Sequence, residues 1–224
     1  MKNNSIIIFL FFIFSISFNS SLLSDEQFNF DVTEVEIKDN GNKFIGKKRG
    51  VATTSDGLSI EANNFEYDKK LNSLNADGNI KFKDNNKKIY IFTDKILYLK
   101  NKEKITSKGN SKAILANGVI ITADKFEYNK IPNILIAYGN VKINDTKKNN
   151  KIFAEEITYL KNTETIFTKG KTKAIIDTKF IFNSRDVLFK RNEGELISRN
   201  TSTIQDDNST FYELEKFRYL LDQQ

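Results

Sequence analysis

Carboxylates and lysines are the residues of this sequence that could do chemistry, because it contains no cysteine and no histidine. Thiolate chemistry, disulfides and the commonest acid–base group and transition-metal ligand are therefore excluded. Asp94, Asp124 and Glu155 recur at a regular interval, and such a repeated carboxylate is typical of a turn or corner. The sequence shows no phosphate-binding loop, nucleophile elbow or metal-ligand cluster. We predict that the chain is not an enzyme and uses no cofactor or metal.

The basic residues form three short runs, at Lys47–Arg49, Lys87–Lys88 and Lys147–Lys148, within a chain of net charge +6. We expect all three runs to lie in loops, where solvated charge and contact with a phosphate are both reasonable interpretations. The abundant Phe and Tyr fall at structural spacing on a predicted inner face, which favours core or groove lining over a base-stacking platform. We predict no nucleic-acid partner.

The segment at residues 1–24 is typical of a targeting sequence. Lys2 precedes an apolar run, Ile6–Ile16, and small polar residues follow. The run is shorter than the roughly 20 residues that span a bilayer, so a cleaved signal peptide over residues 1–24 is the interpretation. An uncleaved anchor is the alternative, because the segment has no clean A-x-A site. We expect residues 25–224 to form one exported domain.

The rest of the chain is organised as a repeat. The phrases ANNFEYDK and ADGNIKFKD, which begin at Ala62 and Ala76, return in register as ADKFEYNK and AYGNVKIND, which begin at Ala123 and Ala137. A finer unit of half that length emerges when the intervening segments are added, since aromatic residues and glycines keep one interval. The aromatic positions are Tyr67, Tyr98, Tyr128, Tyr159, Phe189 and Tyr219, and the glycines are Gly78, Gly109, Gly139 and Gly170.

Each unit has the pattern of antiparallel strands. Apolar and polar residues alternate in short runs that Asn, Asp, Gly and Lys interrupt, which indicates an all-β fold. Asp56–Gly57 and Asn117–Gly118 predict two-residue hairpin turns with positive φ at both residues, whereas Thr178 and Lys179 replace that pair in the third copy. The inward parity slips once in each unit, as a β-bulge or strand corner requires. Gly50 takes the glycine position of a shorter first unit.

The predicted inner face alternates between bulky and small units. Leu74, Ala76, Gly78, Ile80 and Phe82 share one parity, as do their equivalents in the later copy of the phrase. The intervening units carry Ser107, Ser111, Thr168 and Thr172 at the same positions, and these smaller residues suggest room inside.

These phrases resemble a known family. The order A-x-x-F-x-Y, then L-x-A-x-G-N-[IV]-K, repeated behind a targeting segment, is similar to the OstA-like periplasmic domain of lipopolysaccharide transport. That domain occurs in the bridge protein LptA, its docking partner LptC and the amino-terminal region of the assembly protein LptD, which the phrase at residues 39–67 resembles most. The resemblance implies a twisted open β-jellyroll, in which two antiparallel sheets meet in a V around a groove for acyl chains. The last copy is incomplete after Tyr219, so we expect either a truncated assembly protein or a stand-alone bridge.

The resemblance predicts a periplasmic scaffold, associated with the outer membrane, that shields lipopolysaccharide acyl chains. Carrying one chain of a dozen carbons through water costs on the order of 10 kcal/mol, which an apolar groove would avoid. Implied partners are lipopolysaccharide, other OstA-like proteins joined by end-to-end strand pairing, and an outer-membrane barrel. The candidate groove-lining residues are Phe65, Tyr67, Leu74, Ile80, Phe82, Phe126, Tyr128, Leu135, Val141 and Ile143.

Two other classes of function compete with this interpretation. The first is a closed β-solenoid that serves as a structural or adhesive surface protein, with parallel sheets and no lipid groove. Hairpin turns argue against it, because parallel strands need longer crossovers. The second is a hydrolase acting on envelope polymers, which a convergent carboxylate pair inside the groove would support.

Overall fold

The computed structural model describes residues 28–221, so the predicted targeting segment at residues 1–24 lies outside it. Nearly all of the described chain is β-strand, with two short 3₁₀ turns at Asp39–Gly41 and Lys100–Lys102. The strands are β1 (Asn29–Lys38), β2 (Lys43–Thr53), β3 (Leu58–Ala62), β4 (Asn64–Asp68), β5 (Ser73–Asp84), β6 (Ile89–Leu99), β7 (Lys104–Lys108), β8 (Ser111–Leu115), β9 (Val119–Ala123), β10 (Lys125–Asn129), β11 (Ile134–Asp145), β12 (Asn150–Leu160), β13 (Thr165–Ile176), β14 (Phe180–Arg185), β15 (Leu188–Lys190), β16 (Glu195–Ser198), β17 (Ser202–Gln205), β18 (Phe211–Leu214) and β19 (Phe217–Leu220).

The strands form two antiparallel sheets that share their longest members. In sheet I, the carboxyl-terminal half of β5 pairs with β3 and with the start of β6. The start of β6 also pairs with β8, and β8 pairs with β9. In sheet II, the first half of β5 pairs with β4 and with the end of β6. The end of β6 also pairs with β7, and β7 pairs with β10. Strands β11, β12 and β13 repeat this division. The all-β jellyroll prediction is confirmed, and the antiparallel pairing differs from that of a parallel solenoid.

The long strands pass from one sheet to the other at a corner, where the pairing register shifts as the parity slip predicted. In β11 the shift lies between Tyr138 and Val141, where Gly139 and Asn140 have positive φ. The backbone N–H of Asp124 donates to the carbonyl of Gly139 at 3.0 Å, and the Asn140 amide donates to the Asp124 carboxylate at 3.0 Å. A Cβ atom on Gly139 would collide with that carboxylate. The repeated carboxylate therefore has the corner role that its spacing indicated.

The aromatic ladder forms one continuous row across the inner face of sheet II. From Tyr67 onward, each ring is the direct register partner of an aliphatic residue on the next strand, so aromatic and aliphatic side chains alternate. The rings from Tyr67 to Phe189 are at most 2% exposed. The row runs Phe44, Tyr67, Leu74, Tyr98, Ile105, Tyr128, Leu135, Tyr159, Ile166, Phe189, Leu196 and Tyr219.

The hairpin positions were predicted correctly, but the turn type was wrong. Only the glycine of each predicted pair, Gly57 or Gly118, has positive φ. The backbone N–H of Gly57 donates to the carbonyl of Thr54, and the N–H of Thr54 donates to the carbonyl of Leu58. These two hydrogen bonds close a four-residue loop, residues 54–57. Side-chain hydrogen bonds explain the difference, since Asp56 and Asn117 both bond residues at the hairpin tips of the other sheet. The third copy instead has a three-residue loop at residues 177–179, with positive φ at residues 177 and 178.

The first unit also departs from expectation. Lys47–Arg49 lies inside β2 rather than in a loop, and the corner pair with positive φ is Lys48 and Arg49. Gly50 is instead the residue where β1 comes closest, because a Cβ there would collide with the backbone of Asp31 and Val32. The runs at residues 87–88 and 147–148 do lie in hairpin loops.

Candidate functional site

The interior between the two sheets contains all ten candidate groove residues. Sheet II contributes six of them from β4, β5, β10 and β11, and sheet I contributes four from the other halves of β5 and β11. Every one of the ten is at most 2% exposed, and all belong to one core cluster. The interior is therefore apolar and closed in this structure, and contact of these residues with lipid remains a prediction.

The small polar residues do not leave the room that we expected. Ser107 and Ser111 are buried, and their hydroxyls lie 2.8 Å apart. Ser107 also accepts the backbone N–H of Phe126 at 3.0 Å. Thr168 and Thr172 form the equivalent contact at 2.7 Å in the later unit. These hydroxyls satisfy backbone groups where the strands turn, which a buried corner requires.

The hairpin tips of both sheets lie opposite the corner and face each other; we call the seam between them the mouth. The tips of sheet II are residues 69–72, 100–103, 130–133, 161–164 and 191–194, and those of sheet I are residues 54–57, 85–88, 116–118, 146–149 and 177–179. Because the strands themselves join the sheets at the corner, the mouth is the edge that side chains alone hold together.

Two buried cations cross the mouth. Lys130 Nζ lies 2.6 Å from both Asp56 Oδ2, on the opposite tip, and Glu103 Oε2. Arg191 Nε lies 2.7 Å from Asp145 Oδ2, and its Nη1 bonds Glu164. The side chains of Lys130 and Arg191 are only 8% and 6% exposed.

The two pairs differ in burial. The side chain of Asp56 is 37% exposed, whereas that of Asp145 is 2% exposed. Hydrogen bonds from Lys130 and Thr54 hold the pKa of Asp56 below its usual value, although burial acts in the opposite direction as the largest single influence. The mouth is thus held by charge pairs whose strength increases with burial.

A third cation at the mouth has no ion-pair partner among the described residues. Lys161 Nζ donates to the carbonyl of Lys87 at 2.8 Å across the mouth and lies 5.8 Å from the centre of the Tyr128 ring. Burial lowers the pKa of Lys161 to about 8, although the Asp84 and Glu164 carboxylates act in the opposite direction. The folded chain therefore disfavours the charged form of this lysine.

Replacement of Lys161 by methionine is expected to stabilise the fold near neutral pH by about 1–2 kcal/mol, a figure reduced for partial exposure. The folded-state pKa lies below that of the unfolded chain, so between about pH 8 and pH 10 the unfolded chain binds more protons and native stability rises with pH. The variant should lack that rise. Urea unfolding at about pH 7 and pH 9.5 measures both effects, and a variant less stable than the native chain at pH 7 would contradict them.

The residues at the mouth were not among the sequence candidates, although a signal for them exists. Basic residues occupy the first position of every tip of sheet II: Lys69, Lys100, Lys130, Lys161 and Arg191. They keep the same interval as the aromatic ladder. A search for periodic charge, as well as periodic apolar residues, would have found them.

Comparison with known proteins identifies the repeat. Residues 59–165 match the family described as "LptA/(LptD N-terminal domain) LPS transport protein". Residues 59–165 are thus similar to a family of lipopolysaccharide-transport domains. The match covers just under half of the chain, and it confirms the family resemblance that the repeated phrases carried.

The chain is also similar to solved structures. One similar structure is that of LptH from Pseudomonas aeruginosa, described as the LptA-homologous periplasmic component of the lipopolysaccharide transport device, with 14% identity, 51% coverage of this chain, 83% coverage of that chain and a TM-score of 0.47. No curated protein sequence matches the chain.

Residues 28–221 have neither a membrane-spanning helix nor a cluster of metal-binding side chains. No helix in this range is long and apolar enough to cross a membrane. The same range contains no group of three or more acidic residues placed to hold a metal ion.

Proposed function

We propose that the chain is a periplasmic lipopolysaccharide-binding scaffold that shields acyl chains between its two sheets, near the outer membrane, without catalysing a reaction. The match to a lipopolysaccharide-transport family carries this proposal. The apolar interior supports it, since both inner faces supply a continuous row of aliphatic and aromatic side chains. Each acyl methylene moved from water into such an interior gains about 0.8 kcal/mol.

The closed interior requires the sheets to separate before a chain can bind. The corner is covalently continuous, whereas the mouth depends on side-chain contacts such as Lys130 with Asp56. We infer that acyl chains are loaded through the mouth, which opens when these contacts break. The Asp56 carboxylate keeps contact with water, and Lys130 still has Glu103 as an ion-pair partner when the contact with Asp56 breaks. Exchange of the Asp56 contact for one with a charged headgroup is therefore energetically feasible.

The two ends of the sheets suit the proposed end-to-end partners. Strand β1 pairs only with β2, and β18 only with β17, within the described residues. Ile37 on β1 is 67% exposed and Phe211 on β18 is 69% exposed. Unpaired strand edges that carry apolar side chains favour addition of another strand, which is how we propose that other OstA-like proteins, or the periplasmic part of an outer-membrane barrel protein, join this chain.

Photo-crosslinking tests lipid binding inside the domain. A benzophenone amino acid at Phe126 or Tyr128, both fully buried, is expected to form an adduct with lipopolysaccharide in cells. The same residue at Lys125, which is exposed on the same strand, is the matched control and should give none. Thermal unfolding of each purified variant checks that the chain still folds. Absence of adducts at every interior position in folded variants would sink the proposal.

A further inference from the structure

The outer face of sheet I carries a row of cross-strand neighbours in which lysines flank aromatic rings. Each residue in the row is the direct register partner of the next, so the side chains lie side by side across seven strands. The row runs Lys81, Phe92, Lys112, Thr122, Lys142, Phe153 and Lys173. The Lys-Phe-Lys group occurs twice, once in each copy of the long repeat, so the repeat itself generates this pattern.

A second outward row lies beside the first, nearer the mouth. It runs Lys83, Tyr90, Ile114, Ile120, Asn144, Lys151 and Ile175. We call the two rows together the basic face. Strands in a sheet are about 4.8 Å apart, so the face is roughly 29 Å across. Five of its six lysines are exposed, and its aromatic and aliphatic side chains are half-buried between them.

The basic face carries no compensating negative charge of its own. The acidic residues in its strand segments, Asp84 and Asp145, point inward and are at most 2% exposed. None of the six lysines forms an ion pair among the described residues; Lys83 and Lys142 instead lie over aromatic rings of the face.

Several charged residues around the face, unlike its lysines, form ion pairs. Glu61, which borders Lys81 on the neighbouring strand β3, already pairs with Arg49. On the outer face of sheet II, Lys104 and Lys169 pair with glutamates of adjacent strands.

Three other lysines of sheet II, Lys95, Lys108 and Lys125, also form no ion pair with any described residue. Their outward row, however, includes the carboxylates Asp77 and Glu156. The two rows of the basic face contain no carboxylate.

A shallow pocket of about 660 Å³ lies in the face beside the corner. Lys142, Lys171, Lys173, Phe153 and Ser184 are among its lining residues, and no carboxylate lines it. A smaller pocket of about 370 Å³, lined by Lys81 and Phe92, occupies the equivalent place in the earlier copy of the repeat and includes Asp94. The lysine-rich hairpin tips at residues 85–88 and 146–149 extend the positive charge to the mouth.

The composition of the face discriminates between classes of partner. Protein interfaces are enriched in arginine and depleted in lysine, whereas all six cations of this face are lysines. A lysine ammonium is a point charge that binds phosphate without a required geometry, and its alkyl stem packs on apolar surface while its head stays in water. Half-buried Phe, Tyr and Ile between such cations are typical of surfaces that lie at a lipid headgroup layer.

From these observations we propose that the basic face binds the phosphate-bearing headgroup layer of an anionic lipid membrane. The breadth of the face matches an extended charged surface. Attraction falls off within about 10 Å at 0.1 M salt, so the face must lie directly against the headgroups. The interior and the mouth take no part in this contact, so membrane binding by the basic face is independent of acyl-chain binding.

Vesicle flotation of the full chain tests the assignment. We expect binding to vesicles of phosphatidylglycerol and phosphatidylcholine that exceeds binding to phosphatidylcholine alone and weakens as salt is raised. The triple variant Lys112→Gln, Lys142→Gln, Lys173→Gln should bind the anionic vesicles on the order of 100-fold more weakly, because each lysine near such a surface contributes about fivefold. Binding to the neutral vesicles measures any contribution of the apolar segment at residues 6–16.

The matched control removes the same charge from the other sheet. Lys95, Lys108 and Lys125 are exposed on the outer face of sheet II, and their replacement by glutamine should change vesicle binding by less than about threefold. The single variant Lys112→Gln is expected to weaken binding about fivefold. It provides the same test if the triple variant does not fold. Equal loss in both triple variants, or no preference for anionic vesicles, would overturn the proposal. So would binding of duplex DNA, but not vesicles, through the same lysines.

Discussion

Replacement of Arg191 by methionine is expected to lower the free energy of unfolding by about 3–5 kcal/mol. Arg191 is 6% exposed and its partner Asp145 is 2% exposed, so neither charge is screened by solvent. Methionine fills much of the arginine volume but leaves the Asp145 carboxylate buried without a cation. An uncompensated buried charge is among the most destabilising changes that a single substitution can make. Urea unfolding of the variant measures the loss.

The control for Arg191 is another arginine–carboxylate pair in the same chain. Arg49 and Glu61 are 2.6 Å apart, but their side chains are 48% and 34% exposed. The Arg49→Met variant is therefore expected to lose less than about 1 kcal/mol.

A double variant separates charge burial from lost packing. In Arg191→Met with Asp145→Asn, the asparagine carbonyl can keep the two backbone N–H bonds that Asp145 accepts from Lys147 and Lys148. Removal of the buried charge should recover about 1–2 kcal/mol. No recovery in the double variant, or an equal loss at Arg49 and Arg191, would show that buried charge is not what makes Arg191 important.

The sheets could be predicted from sequence because side-chain parity is a local property. The alternation of apolar and polar neighbours indicates that Tyr67 and Leu74 point inward, and the change of side-chain parity at Gly78 locates the corner to within a few residues. The repeat then places the same features in register across the chain. Local alternation plus repetition was sufficient for the all-β fold, the corners and the ten interior residues.

The mouth could not be predicted in the same way, because its partners are set by the twist of the whole stack. Lys130 reaches Asp56 over 74 residues and Lys161 reaches Lys87 over the same separation, but Arg191 reaches Asp145 over 46. No local pattern distinguishes these choices. The predicted turn type at Asp56–Gly57 was wrong for the same reason, since Asp56 accepts a hydrogen bond from Lys130 of the opposite sheet.

The structure also changes what the candidate site must do. The sequence suggested a groove with room inside, but Phe82, Phe126 and Leu135 are fully buried within one packed cluster. Opening the interior exposes apolar surface, so acyl chains must replace those contacts as they enter. The mouth, which the aromatic repeat did not reveal, therefore becomes the element on which binding depends.

Clamping the mouth should abolish loading of lipid. The chain has no cysteine, so Asp56→Cys with Lys130→Cys introduces the only two thiols, one on each side of the mouth. A short bis-maleimide then replaces the ion pair that these residues form with a covalent tether between the sheets. We expect lipopolysaccharide binding to fall at least tenfold in the tethered chain, because separation of the sheets by even a few ångströms is needed to admit a chain.

The same chain before tethering is the first control for the clamp. The second control tethers Lys104→Cys to Glu127→Cys, which replaces an ion pair of 2.7 Å between neighbouring strands of sheet II. That tether does not cross the mouth and should leave binding within about threefold of native. If the mouth clamp leaves binding unchanged while interior crosslinks to lipid persist, acyl chains must reach the core from the open ends of the sheets. In that case the charge pairs at the mouth contribute only to stability.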